Sequence, residues 1–86
     1  MSINWTINST KVADKQAAKL SEKIMLKLRL LFMDLATKGP AVSEWPNYGK
    51  LRGIKGDKRH CHLQSGKPTY VCCWEVVDKK RKIIEV

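Results

Sequence analysis

Residues 59–77 read RHCHLQSGKPTYVCCWEVV, and the reading of this stretch decides the fold. From Arg59 to Leu63 the residue types alternate with the period of a strand, so Cys61 and Leu63 share one face while His60 and His62 share the other. Gln64-Ser65-Gly66-Lys67-Pro68 is turn chemistry, and Thr69 to Val77 is dense in β-branched and aromatic residues. Two strands joined by a tight turn form an antiparallel hairpin. Asp78-Lys79-Lys80 then supplies a second turn, and Arg81 to Val86 a last strand. Upstream, Ala41 to Gly56 mixes Pro46, Asn47, Gly49, Gly53 and Gly56 with Trp45, Tyr48, Leu51 and Ile54, which predicts a loop with a short strand near Tyr48–Arg52.

The N-terminal half has a different period. Ala13, Ala17, Leu20, Ile24, Leu28, Leu31 and Leu35 recur three and four residues apart, the signature of an amphipathic helix. Ser9 or Thr10 can cap its start, and Gly39-Pro40 ends it. Ser21 is a second N-cap-type residue, so two antiparallel helices over 10–20 and 22–38 compete with one long helix. On one helix, Lys11, Lys15, Lys19, Lys23 and Lys27 would form a ridge of like charge, costing about 0.2–0.5 kcal/mol per pair. Ahead of this region, Ile3-Asn4-Trp5-Thr6-Ile7-Asn8 alternates apolar and polar residues, which predicts an opening strand. The order is a strand, a helical hairpin or single helix, then an antiparallel meander giving a three- to four-stranded sheet: an α+β layout with the helices on one sheet face.

The chain has 86 residues, enough for one domain, and at that size folding covers only about 60–65 % of the extended chain's surface. A two-domain enzyme with its own cofactor fold is excluded. An apolar fraction of 43 % with three tryptophans suits a folded globule and not a basic disordered tail. The net charge of +9 points to a polyanionic partner, with nucleic acid ahead of an acidic protein or an anionic membrane surface. No run approaches 18 consecutive apolar residues, and MSINWTINST lacks the basic start and apolar run of a signal peptide, so a cytoplasmic location is expected. Three cysteines, two of them adjacent in an apolar run, read as reduced core residues.

Between Lys50 and Lys67 lie Lys50, Arg52, Lys55, Lys58, Arg59 and Lys67 against Asp57 alone, a net +5 over 18 residues. Spread over strand and turn, such a patch suits a phosphate-binding surface, where each phosphate neutralised adds counterion release. His60 and His62 sharpen that expectation. RNA cleavage needs the 2′-hydroxyl deprotonated and the leaving 5′-oxygen protonated, and an imidazole with an ordinary pKa of about 6.5 serves either step. Arginine and lysine would stabilise the charge gathering on phosphorus. The bland alternative is that both histidines are ordinary exposed strand residues. A zinc site from His60, Cys61, His62, Cys72 and Cys73 is disfavoured, because alternation sends Cys61 away from the histidines and splits Cys72 from Cys73. A cysteine nucleophile finds no clear base and orienter beyond those histidines. Among the aromatics, Trp74 reads as core, whereas Trp45 and Tyr48 are the candidates for exposed, base-stacking rings.

An ordered series of residues carries a resemblance: Lys15-Gln16, Lys19-Leu20-Ser21-Glu22-Lys23-Ile24, Asp34-Leu35, Gly39-Pro40, Lys50-Leu51-Arg52-Gly53, Arg59-His60-Cys61-His62-Leu63, Pro68-Thr69-Tyr70-Val71 and Trp74-Glu75-Val76. Over about residues 3–86 the chain resembles the RelE/ParE superfamily of type II toxin–antitoxin toxins, especially its small cytotoxic translational repressors. Leu51-Arg52-Gly53 followed by a basic strand and a strand hairpin is the most telling part. The resemblance implies a single RelE/ParE-like toxin domain over residues 1–86, with a helix break near Ser21. RelE-like members are metal-independent endoribonucleases that cut mRNA in the ribosomal A site and so inhibit translation. A cognate acidic antitoxin neutralises them in a toxin–antitoxin hetero-oligomer; no cofactor and no membrane partner is implied.

In the family, the strand after Leu-Arg-Gly carries two alternating lysines facing the RNA, and His60 and His62 stand in those places as the implied catalytic pair. Arg59 and Lys67 fall where phosphate contacts are expected, with Arg52 and Lys58 in support. RelE-like toxins also continue past the last strand with a catalytic arginine and tyrosine, whereas this chain ends at Glu85-Val86. Two alternatives therefore accompany the RelE-like reading: a ParE-like inhibitor of DNA gyrase, and a shortened, non-catalytic relative that binds antitoxin or nucleic acid.

Overall fold

The computed structural model describes residues 4–53, 55–64 and 69–86. The element order is β1 (Thr6–Asn8), α1 (Lys11–Ala17), α2 (Glu22–Lys38), β2 (Gly49–Lys50), β3 (Asp57–Gln64), β4 (Tyr70–Asp78) and β5 (Ile83–Glu85). Among the described residues, two helices and a five-stranded sheet in the order β1-β5-β4-β3-β2 give an α+β fold. Beyond residues 65–68, which include Lys67, the expected hairpin of β3 and β4 is present: Cys61 faces Cys72 and His60 faces Cys73 in antiparallel register.

The sheet is mixed, which corrects the purely antiparallel expectation. β2 to β5 form the antiparallel meander, but β1 pairs parallel to β5, with Thr6, Ile7 and Asn8 opposite Ile83, Ile84 and Glu85. Alternating residue types predict that a strand exists and say nothing of its direction. Parallel partners need a long connection, and here the helical hairpin and three strands lie between them. Thr6 N donates to Lys82 O at 2.8 Å, and Val86 N donates to Asn8 O at 2.8 Å.

The helical segment is broken at Ser21, so the two-helix alternative is the one realised. Thr10 Oγ1 caps α1 by accepting from Ala13 N at 3.0 Å, and Ser21 Oγ caps α2 by accepting from Ile24 N at 3.4 Å. The break divides the lysine series: Lys11 and Lys15 stay on α1, Lys23 and Lys27 on α2, and Lys19 lies between them. At the far end of α2, Gly39 has φ +94° and N–H donating to Leu35 O. The chain turns there beside β1, where the backbone N–H groups of Asn4 and Trp5 both donate to Ala36 O.

Ile24, Leu28, Leu31 and Leu35 of α2 form one buried stripe against Cys61 and Leu63 of β3, Cys72 and Trp74 of β4, and Ile84 of β5. Covering a side chain of this kind contributes about 1.5–3 kcal/mol. No residue of α1 is fully buried; Ala17 only flanks the core. Trp45 and Tyr48 are not the exposed rings expected. Trp45 Nε1 donates to Asp34 Oδ2 at 2.8 Å, and the Tyr48 ring stacks on Trp74 with centroids 6.2 Å apart. Both are partly buried and rest against the core.

Candidate functional site

Strand β3 positions the candidate residues by alternation. Asp57, Arg59, Cys61 and Leu63 belong to the side that faces α2, whereas Lys58, His60 and His62 belong to the opposite side. Register extends that second row across the sheet, with Lys58 opposite Glu75, His60 opposite Cys73 and His62 opposite Val71; Glu75 in turn lies opposite Glu85. On the other flank Gly49 of β2 lies opposite His60. A Cβ on Gly49 would fall 3.2 Å from His60 Nε2, so the missing side chain gives the imidazole its place over β2.

Both histidines are partly covered. His62 is held through its backbone, N–H donating to Pro46 O at 2.8 Å, while its buried Nδ1 has no hydrogen-bond partner. Among the described residues no carboxylate is hydrogen-bonded to either ring: Asp57 lies on the other side of the strand, and Glu75 and Glu85 lie on the rows opposite Lys58. About 3.3 Å of rise per residue separates His60 from His62 by about 6.6 Å along the strand.

Arg59 is not part of this row. Its guanidinium donates from Nε and Nη2 to the two carboxylate oxygens of Asp57 at 3.0 and 3.1 Å, and from Nη1 to Tyr48 Oη at 3.0 Å. The bond from Arg59, aided by the charges of Arg59 and Lys50, holds the Asp57 carboxyl below its usual range. In return, Asp57 raises Arg59 above its ordinary value. Arg59 is therefore an internal tie and not a ligand-facing cation. Arg52 is exposed in the segment after β2, and Lys67 lies outside the described residues. Of the six residues singled out in the sequence, the structure brings Lys58, His60 and His62 onto one strand face.

Sequence reasoning did not bring Cys73 and Glu75 into the site, because only the register between β3 and β4 makes them neighbours of His60 and Lys58. Cys73 is exposed, which corrects the reading of all three cysteines as core residues: alternation along β4 turns it to the side opposite Cys72. Burial pushes the thiols of Cys61 and Cys72 up to about 11 and about 12. Among the described residues no group of three His, Cys, Asp or Glu side chains is arranged to hold a metal ion. An open recess of about 1010 Å³ is lined by Leu20, Met25 and Phe32 of the helical segment and by Cys72 and Trp74 on the core side of β4, and it reaches round to Lys58 and Cys73 on the other side of the sheet. The histidines lie outside it. Among the described residues no helix is long and apolar enough to cross a membrane. Comparison of the chain with protein-family models, with curated proteins and with solved structures finds no match.

Proposed function

We propose that the chain is the toxin of a type II toxin–antitoxin system, a RelE-like endoribonuclease that cuts mRNA on the ribosome. The observation that carries this reading is the row Lys58, His60 and His62 on the side of β3 turned away from α2. The element order, a strand followed by a helical hairpin and an antiparallel meander, supports the same reading.

In the proposed reaction one imidazole removes the proton of a ribose 2′-hydroxyl, whose oxygen attacks the adjacent phosphorus. The bond from phosphorus to the 5′-oxygen breaks, and the second residue, as imidazolium, donates its proton to that oxygen. The products are a 2′,3′-cyclic phosphate and a 5′-hydroxyl, with no change of oxidation state. Lys58 lies two positions from His60 and supplies a positive charge beside the phosphate.

Induced expression in a bacterial host tests the proposal. Growth arrest with mRNA cleavage mapped by primer extension is expected, and His60→Ala or His62→Ala abolishes both. Arrest with DNA damage, inhibited supercoiling and intact mRNA would instead identify a gyrase inhibitor, and normal growth would leave a non-catalytic binding protein.

A further inference from the structure

Helix α2 is apolar on two opposite sides. Its inner stripe, Ile24, Leu28, Leu31 and Leu35, is buried in the core. Leu26, Leu30 and Met33 form a second stripe on the outer side, exposed by 58 %, 61 % and 49 %. Their spacings of four and three residues are those of the d, a and d positions of a heptad, with Lys23 at the a position before them and Thr37 at the one after. The Thr37 hydroxyl donates to Met33 O at 2.9 Å and is satisfied within the helix.

The flanking positions give the chemistry of what covers the stripe. Glu22 and Arg29 stand at g, Lys27 and Asp34 at e, and their charges cancel. When two copies of α2 lie side by side and parallel, each g residue faces the e residue five positions further along the other copy. Glu22 of one copy then meets Lys27 of the other, Arg29 meets Asp34, and the twofold axis repeats both pairs. Among the described residues Glu22, Lys27 and Arg29 have no side-chain partner within their own chain. Asp34 accepts from Trp45 through Oδ2, and its Oδ1 lies 3.8 Å from Lys38 Nζ. A uniformly acidic helix would meet Glu22 and Asp34 with like charge, and a uniformly basic one would meet Lys27 and Arg29. The chain's net charge of +9 is carried mostly away from this helix: Lys23, Lys27, Arg29 and Lys38 against Glu22 and Asp34 leave α2 with only +2. Lysine at a single a position costs stability but fixes the register and the number of strands, and the long stem of Lys23 lets its ammonium reach solvent at the open end of the helix.

The geometry points to a second copy of this chain as the occupant: two α2 helices pack in parallel as a two-stranded seam, with Leu26, Leu30 and Met33 at its centre and the Glu22–Lys27 and Arg29–Asp34 pairs along its flanks. Each helix is already folded against its own sheet, so association carries no helix-nucleation cost. A seam of this length belongs with weak, reversible contacts. The row of Lys58, His60 and His62 lies on the side of β3 turned away from α2 and stays open in the dimer. The inference does not depend on the proposed nuclease activity.

Sedimentation of the intact protein from about 10 µM to about 1 mM, the range of weak association, tests the assignment. A monomer–dimer equilibrium is expected. Leu30→Ser changes an exposed position, so dilute protein keeps the parent's thermal midpoint, while dimerisation weakens at least tenfold. Glu22→Lys sets cation against cation on the flanks, and Lys27→Glu sets carboxylate against carboxylate; each variant alone is expected to associate about tenfold more weakly. Mixed in equal amounts, the two variants supply the charges that each lacks, and dimerisation is expected to return. A protein that stays monomeric at the top of the concentration range, a dimer that Leu30→Ser leaves intact, or a mixture no more associated than its two components would overturn the assignment.

Discussion

Arg59 and Asp57, two positions apart on β3, are joined by two parallel hydrogen bonds, Nε to Oδ1 at 3.0 Å and Nη2 to Oδ2 at 3.1 Å. The pair is largely covered, with side chains 15 % and 14 % exposed. The third donor of Arg59 reaches Tyr48 Oη, and the Tyr48 ring stacks on Trp74 in the core. Charge-assisted bonds of this kind contribute about 1.5–3 kcal/mol. Arg59→Met is expected to destabilise the fold by that order in urea denaturation, and Arg59→Lys to recover only part of it, because an ammonium cannot bond both carboxylate oxygens in a planar fork.

The same pair sets a pH dependence. Arg59 holds the Asp57 carboxyl below its ordinary value, so the folded state keeps the charged form to lower pH than the unfolded chain does. This contribution is fully present above the unfolded pKa of about 3.9 and is lost as pH falls through the folded pKa. Stability of the parent and of Asp57→Asn, measured at pH 6 and again near pH 2, should therefore converge at the acid end.

Much of the fold can be read in the sequence, because burial and period carry it. The α2 stripe, the alternation of β3 and the core place of Trp74 follow from local residue type, whereas the choice of Thr10 over Ser9 and of a helix break at Ser21 over one long helix is made only in the fold. Nor is the parallel pairing of β1 legible, since three alternating residues are compatible with either direction. The site was legible only in part, and the reason is again alternation. Counting cations along residues 50–67 groups Lys58 with Arg59, but successive strand residues point to opposite faces, and Arg59 turns to Asp57. Cys73 and Glu75 join the row only through cross-strand register, which a single sequence does not contain.

The three cysteines should separate by reactivity. Cys61 and Cys72 are buried thiols raised to about 11 and about 12, while Cys73 is exposed opposite His60. At pH 8 one equivalent of iodoacetamide is expected to enter the native protein, at Cys73, and two more only after denaturation. Mass spectrometry of the digested protein checks the position.

Two glycines with positive φ distinguish backbone conformation from crowding. Gly53 has φ +74° and open space where a Cβ would stand, so Gly53→Ala carries only the conformational cost, about 1 kcal/mol. Gly39 has φ +94°, and its Cβ would lie 2.9 Å from Nε1 of Trp5. Gly39→Ala is expected to cost more, about 2–3 kcal/mol, because the indole that packs beside the end of α2 must also move. Thermal unfolding of the two variants side by side gives the difference.

Adjacent leucines on α2 should respond in opposite ways to the same substitution. Leu31 is fully buried among the β-sheet residues of the core, and its truncation removes apolar contacts while leaving a cavity that a small, closely packed interior closes only in part. Leu31→Ala is expected to cost about 2–5 kcal/mol. Leu30 is 61 % exposed and has little packing to lose. Alanine is also the better helix former, so Leu30→Ala should change stability by less than about 0.5 kcal/mol. A large loss at Leu30 in the monomer would mean that the outer stripe is already covered by another part of the protein, whereas a neutral Leu30→Ala beside a damaging Leu31→Ala leaves that stripe free for a partner.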